Sequence, residues 1–347
     1  MAERRFTTSD FDYHLPDALI AQTPTADRGA SRLLVVDRQS EAAPLHDSAF
    51  AALPAMIPPG DLLVINSTKV RHARLIGSRP GGAPAEILLL HPVDDGEWLA
   101  MGKPGRALQP GKEISLGHDS AIHVVAIEEE GFRRVRFVGL DADAAIARYG
   151  RLPLPPYITR QPDAQDETRY QTIYAAREGS VAAPTAGLHF TDATMQQLRE
   201  RGVEIASLDL EVGPGTFRPV EVEDLAHHEM HAEHFEIPEA AADAIAAVRR
   251  RGGHVWAVGT TVVRALESAA RDDGTVAAGQ AATALMITPG FRFRIVDHLL
   301  TNFHLPRSTL LMLVAAFAGY QRTMAAYHHA VEQRYRFYSY GDAMCIL

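Results

Sequence analysis

Three titratable side chains, His189, His231 and Glu233, fall within a stretch whose composition suits a site better than a core. From Ser180 to Phe235, helical and strand periods are broken by Gly187, Gly213 and Gly215, by prolines, and by clustered polar groups. The segment Glu233-His-Phe-Glu-Ile-Pro238 alternates like a strand, which would put His231, Glu233 and Phe235 on one face. A carboxylate beside an imidazole orients it and tunes it for proton transfer near neutral pH. A hydrogen-bonded structural histidine fits the same residues. A zinc-protease reading fits less well. His228-Glu229-Met230-His231 spaces its histidines three apart, whereas H-E-x-x-H needs four to share a helix face.

Further candidates sit where buried strands end. Leu62-Leu-Val-Ile65 is a short apolar run followed by Asn66, Thr68 and, beyond Lys69 and Arg71, Arg74. Open α/β sheets and barrels bind ligands at such carboxyl ends. Gly259-Thr260-Thr261 follows a second buried strand and opens a helix that carries Arg264. Free backbone N–H groups there favour an anion, although a plain helix cap reads the same way. No P-loop, dinucleotide fingerprint or nucleophile elbow occurs. Asn302 and His304 precede another helix, and an Asn amide can read a heterocycle edge or a carboxylate. Arg169-Tyr170-Gln171 and the aromatic run ending Tyr340-Gly-Asp342 suit base stacking or core anchoring equally. Asp27-Arg28 and Ser31-Arg32 precede the strand Leu33 to Val36, lining either a cleft or a surface turn.

These residues must be held by a soluble scaffold. The 347 residues are 46% hydrophobic and 22% charged, ordinary for one or two globular domains. One cysteine, Cys345, excludes an intrachain disulfide or a cysteine zinc site and suits a reducing compartment. No signal peptide or membrane-spanning run is read, so a cytoplasmic protein is expected. A net charge of −9 argues against indiscriminate nucleic-acid binding but leaves room for a local basic patch.

From about Leu75 to Gly150, short strand-like runs separated by Gly, Pro and Asp turns predict a small antiparallel barrel or sandwich. Elsewhere strands alternate with helices. Helices are expected over Asp192 to Arg201, Pro238 to Arg251, Val262 to Arg271, Ser308 to Ala318 and Thr323 to Tyr335, with late strands at Thr283 to Ile287 and Phe293 to Val296. Repeated β–α units imply an α/β domain of mostly parallel strands, in an open sheet or an incomplete barrel. The domains read as residues 1–74 with 151–347, interrupted by an all-β insertion over 75–150. Residue chemistry alone reaches an α/β enzyme with an acid/base site and an anion pocket, and names no reaction.

The ordered motifs go further. Asp12-Tyr-x-Leu-Pro16, Gly60-Asp-Leu-Leu-Val64, Pro153-Leu-Pro-Pro-Tyr157 and Arg169-Tyr-Gln-Thr172 come first. They are followed by Ala183-Pro-Thr-Ala-Gly-Leu-His-Phe190, Gly215-Thr-Phe-Arg-Pro219, Met230-His-x-Glu233, Ala257-Val-Gly-Thr-Thr261, Thr301-Asn-Phe-His-Leu-Pro306 and Tyr338-Ser-Tyr-Gly-Asp342. Together they resemble the S-adenosylmethionine:tRNA ribosyltransferase-isomerases of queuosine biosynthesis, over nearly the whole chain. Departures are Pro214, Val262, Lys69 and His72. The resemblance implies a barrel-like α/β main domain with a β-barrel insertion. It also implies transfer and isomerisation of the ribosyl part of S-adenosylmethionine onto 7-aminomethyl-7-deazaguanine at the wobble position of tRNA, with loss of adenine and methionine. No prosthetic group and no metal is implied: S-adenosylmethionine is a substrate. The expected partner is a tRNA, bound by a monomer.

On that reading His231 with Glu233 does the proton work, with His189 as a second candidate. Substrate contacts are expected from Arg28, Ser31, Arg32, Asn66, Thr68 and Arg74; from Arg169, Tyr170, Gln171, Thr185, Gly187 and Arg218; and from Thr260, Thr261, Arg264, Asn302, His304, Tyr340 and Asp342. A non-catalytic tRNA-binding protein, a metal-dependent hydrolase and a methyltransferase are the rival classes.

Overall fold

A computed structural model describes residues 4–40, 43–213, 220 and 222–347. Gly215 to Pro219, with the expected contact Arg218, lies outside the described residues.

The strands, in chain order, are β1 (Arg32–Val36), β2 (His46–Ala49), β3 (Leu62–Asn66), β4 (Thr68–Val70), β5 (Arg74–Ser78), β6 (Pro84–Pro92), β7 (Glu97–Lys103), β8 (Glu113–Ser115) and β9 (Ser120–Ile127). There follow β10 (Arg133–Gly139), β11 (Gly150–Arg151), β12 (Arg177–Ser180), β13 (Glu204–Leu210), β14 (Glu233–Ile237), β15 (Val255–Val258), β16 (Gly279–Thr283), β17 (His298–Asn302) and β18 (Ala343–Ile346). The helices are α1 (Leu53–Met56), α2 (Ala142–Tyr149), α3 (Asp166–Arg169), α4 (Asp192–Glu200), α5 (Glu239–Arg250), α6 (Thr260–Ser268), α7 (Thr309–Ala318) and α8 (Tyr320–Glu332).

Nine strands form one sheet in the order β16-β14-β13-β3-β15-β17-β18-β1-β2. Its centre is buried on both faces. Leu62, Val64, Val255, Ala257 and Leu299 pack under α5 to α8, while Leu63, Ile65, Trp256, Val258 and Leu300 pack under α1 and α4. That two-sided burial is why β3 and β15 read as unbroken apolar runs.

The expectation of a mostly parallel, barrel-like main domain is overturned. Only β13–β3, β3–β15, β15–β17 and β18–β1 are parallel. The pairs β16–β14, β14–β13, β17–β18 and β1–β2 are antiparallel, and the sheet is mixed and open. One cause is a helix pair. A single crossover helix returns the chain for a parallel strand, but α7 and α8 follow one another after β17, so β18 enters antiparallel.

Two strand expectations also shift. Phe293 to Val296 forms no strand because the Glu267 carboxylate takes its backbone donors: it accepts from the N–H of Arg294, Ile295 and Val296 at 2.9, 3.1 and 3.0 Å. β16 ends at Thr283, where a run to Ile287 was expected, and Arg264 Nε binds the Leu285 carbonyl at 3.1 Å instead.

The second sheet is antiparallel, in the order β11-β5-β6-β7-β10-β9-β8, and it closes into a six-stranded barrel where β8 meets β5. Side chains alternate in and out: Arg133 and Val135 are buried on β10 while Arg134 and Arg136 face solvent. Closure needs Gly77, since a Cβ there would lie 2.4 Å from the Ser115 carbonyl oxygen. The short parallel pair β4–β12 links barrel and main sheet. Among the described residues, no helix is long and apolar enough to cross a membrane.

Candidate active site

Most polar strand-end residues turn out to build the walls. Asn66 continues the ladder where β3 stops. Its Oδ1 accepts from the N–H of Thr68 and of Leu210, both at 3.1 Å, and its Nδ2 donates to the Leu210 carbonyl at 3.0 Å. Thr68 Oγ1 shares a hydrogen bond with Ser180 Oγ at 2.7 Å. Gln171 pairs with the Val70 backbone as a strand would, accepting at 3.0 Å and donating at 2.8 Å. Arg28 donates to the carbonyls of Gln171 and Thr168, and Arg169 to those of Thr25 and Ala26. Arg32 lies over the Tyr335 ring, its Cζ 3.6 Å from the centroid. Arg74 is paired to Glu86 at 2.6 Å on the barrel. Tyr170 is fully buried beside Tyr340, whose hydroxyl donates to Asp166 Oδ1 at 2.6 Å. Asp342 accepts from the backbone N–H of Arg32 and Arg336, both at 2.8 Å. Gly187 packs so closely on Tyr174 that a Cβ would lie 2.2 Å from its hydroxyl.

What remains faces two adjoining clefts. The first lies at the carboxyl ends of β15 and β17. Its walls are Ala182 to Ala186, Gly259 to Thr261, Thr301 to Leu305 and the ring of Tyr338 beside that of Tyr157. Thr185, Thr260, Thr261, Asn302 and His304 therefore reach this cleft, and no charged side chain lines it among the described residues. Gly259 opens α6 at φ 91°, ψ 155°, a conformation only glycine adopts readily. No side chain caps the helix, so its first N–H groups point at the cleft end unpaired by a cap. His304 is buried, shares a hydrogen bond with Thr301 Oγ1 at 2.9 Å, and is pushed down to about 3 by desolvation.

His189 stands behind that wall. It is buried and pushed down to about 4, first by desolvation and then by the charges of Arg28 and Arg336. Its Nδ1 meets Ser31 Oγ at 2.9 Å, and its Nε2 meets Asn302 Nδ2 at 3.1 Å. Both nitrogens are engaged, so His189 and Ser31 position Asn302.

The second, larger cleft lies between the barrel and the main sheet. Leu90, His91, Leu99, Glu130 and Phe132 come from the barrel; Glu211 to Gly213, His227 to His234, and Arg264 come from the main sheet. The expected His231–Glu233 pair is split here. β14 begins only at Glu233, so His231 precedes the strand; its Nε2 lies 3.1 Å from Glu130 Oε2 and its ring is edge-on to Phe132. Glu233 is buried and ion-paired to Arg264, and accepts from the Gly213 N–H at 3.3 Å. Tyr157, Tyr338, Glu130 and Phe132 were missed as site residues. The first two stood in quoted motifs, whereas nothing local in the sequence ties Glu130 to His231.

Val212 and Leu310 line both clefts, which therefore meet. Two joined clefts of unlike polarity, one uncharged and one rich in histidines and carboxylates, suit an enzyme that brings two substrates together. The particular family follows from comparison: the chain belongs to the queuosine biosynthesis proteins, whose family model matches residues 8–346. A protein of Burkholderia cenocepacia named S-adenosylmethionine:tRNA ribosyltransferase-isomerase is 54% identical over 346 residues, 98% of this chain and 97% of that protein. One of the same name from Cupriavidus pinatubonensis is 52% identical, covering 98% and 99%. A crystal structure titled S-adenosylmethionine tRNA ribosyltransferase, from Thermotoga maritima, is 36% identical with a TM-score of 0.56, covering 98% of this chain and all of that one. The family expected from the ordered motifs is the family found.

Proposed function

We infer that this protein is the queuosine-biosynthesis enzyme that transfers the ribosyl unit of S-adenosylmethionine to tRNA and isomerises it. The observation that carries this reading is the end-to-end identity with relatives of that name. The acceptor is 7-aminomethyl-7-deazaguanine at the wobble position, and the products are epoxyqueuosine-tRNA, adenine and methionine. The barrel, residues 75–150, is an inserted domain, and residues 1–74 with 151–347 form the catalytic one. One chain supplies both clefts, so the enzyme works as a monomer, in the cytoplasm where tRNA is modified.

The sulfonium acidifies the C5′ hydrogens of the ribose. Removing one leaves an ylide whose electrons open the sugar ring at C4′ and expel adenine, which carries off a proton, leaving a vinyl sulfonium and a C1′ aldehyde. The acceptor amine adds at C4′ and loses its proton, the regenerated ylide closes on C1′, and the resulting alkoxide displaces methionine to form the epoxide. The first cleft takes S-adenosylmethionine, with its carboxylate at the start of α6, where N–H groups and the helix dipole favour an anion. The second takes the acceptor base, drawn out of the anticodon stack. Carboxylates such as Glu211 and Glu130 suit the base's aminomethyl group and amide edge, which present donors. His231, held by Glu130 where the barrel meets the sheet, moves the proton.

His231→Ala is expected to slow adenine release about 100-fold with the fold intact, and Glu130→Gln roughly 10-fold. Near-normal turnover in both would remove His231 from the proton step. The reaction itself is tested by mass spectrometry of tRNA bearing the deazaguanine, incubated with the protein and S-adenosylmethionine. The ribosyl-derived mass gain and free adenine should appear together. A methyl gain with S-adenosylhomocysteine would instead mark a methyltransferase.

A further inference from the structure

Asn302 ends β17 at the floor of the uncharged cleft, and its amide is fixed in one orientation. Nδ2 lies 3.0 Å from the Tyr338 carbonyl oxygen, 3.4 Å from that of Asp342 and 3.1 Å from His189 Nε2. Two of these partners can only accept, so a flipped amide would set oxygen against oxygen. His189 Nε2 is then an acceptor as well, which places its proton on Nδ1, toward Ser31 Oγ. A chain of hydrogen bonds starting at Ser31 thus holds the Asn302 nitrogen away from its own oxygen. That oxygen, Oδ1, is buried and has no hydrogen-bond partner among the described residues. A buried carbonyl oxygen left without a donor is costly.

Tyr338, on the same cleft, repeats the pattern. Its hydroxyl is buried without a partner among the described residues. Its backbone has φ 70°, unusual for an aromatic residue, and is held there by bonds through the Phe303 and Asn302 groups at 3.2 and 3.0 Å. Its ring lies 4.5 Å from that of Tyr157.

We propose that Asn302 Oδ1 and the Tyr338 hydroxyl read the edge of the adenine in S-adenosylmethionine. The oxygen accepts from the exocyclic 6-amino group, and the hydroxyl donates to an adjoining ring nitrogen. This assignment rests on the function inferred above and names the part of the donor substrate that the first cleft holds. The methionine ammonium is the other amine of that substrate. It is a poor fit to Oδ1, because a neutral amide oxygen buried at the cleft floor supplies no countercharge to a desolvated ammonium. Adenine needs none, and its flat faces suit walls of tyrosine, alanine and proline. Asn302 and Tyr340 both had the side-chain chemistry to meet a nucleobase. Tyr340 is instead tied to Asp166, and Asn302 serves the leaving base.

The test compares ligands on the intact protein by calorimetry and by competition in the tRNA reaction. S-adenosylmethionine is set against its 6-oxo analogue, which carries hypoxanthine, and against an analogue lacking the methionine amine. The 6-oxo analogue should bind roughly 100-fold more weakly, because it presents an acceptor to an acceptor. Loss of the methionine amine should not change the effect of altering Asn302. Asn302→Ala should shrink the 6-amino preference to within about 3-fold, a ratio that a general loosening of the cleft would leave unchanged. Should that variant fail to fold, Tyr338→Phe keeps the question open to refutation. It removes only a hydroxyl and should cost about 10-fold in affinity for S-adenosylmethionine without moving the unfolding midpoint. Equal binding of the amino and 6-oxo ligands, with turnover of S-adenosylmethionine intact, overturns this assignment and leaves the function standing. Absence of any turnover by the wild-type protein overturns both.

Discussion

Arg264→Met is expected to destabilise the protein by about 3–5 kcal/mol, one of the two largest effects anticipated here. Arg264 projects from α6 and Glu233 from the start of β14, and their side chains are 6% and 5% exposed. The guanidinium also donates to the Leu285 and Thr283 carbonyls at 3.1 and 3.4 Å, so it ties a helix, a strand and the connection after β16 together. Removing it takes the Arg264 countercharge from a carboxylate held in low dielectric, the costly half of a broken buried pair. Urea unfolding at neutral pH measures the loss as a drop in midpoint at unchanged slope. Adding Glu233→Gln should return about half of it, because the amide needs no countercharge. A single-variant loss below about 1 kcal/mol would mean that Glu233 reaches water and that the pair is an ordinary surface one.

This pair also marks what could be read from the sequence and what could not. Glu233 stood out because it alternates with Phe235 in a strand pattern beside histidines, and β14 is indeed a strand. Its partner is 31 positions away, on a helix whose register with β14 depends on the sheet order. Local periodicity carries no such information. The same holds for His231, which finds Glu130 across the junction of barrel and sheet, and for the mixed sheet, whose antiparallel pairs are set by which elements intervene. Residues with purely local meaning were legible: the apolar run of β3, the helical stretch of α4, and the glycine start of α6. Residues such as Arg28, Asn66 and Gln171 looked like ligand contacts because a side chain that completes a strand end has the same polarity as one that binds substrate.

Acidification should remove several kcal/mol of stability between about pH 6.5 and pH 4, before most carboxylates titrate. His189 is held down to about 4 and His304 to about 3, both by desolvation first, while an unfolded histidine takes its proton near 6.5. In that window the unfolded chain binds more protons than the folded one. The stabilisation is therefore complete above the unfolded value and is lost as pH falls toward the folded values. At about 1.4 kcal/mol per unit, His189 alone contributes on the order of 3 kcal/mol, and His298, held down to about 4, adds in the same sense. Asp209 and Asp342, raised by burial, take up protons in the fold and offset part of the loss. Asp10, Asp47 and Asp166 are lowered, so their contribution is lost only at still lower pH. Urea midpoints measured from pH 7 to pH 4 should fall steadily, and His189→Gln, which cannot titrate, should flatten the fall by about 3 kcal/mol. A midpoint unchanged between pH 7 and pH 5 would show that these histidines reach solvent. The first cleft should feel this proton: once Nε2 of His189 carries one, it sets donor against donor at Asn302 Nδ2, 3.1 Å away, and releases the orientation that leaves Oδ1 free.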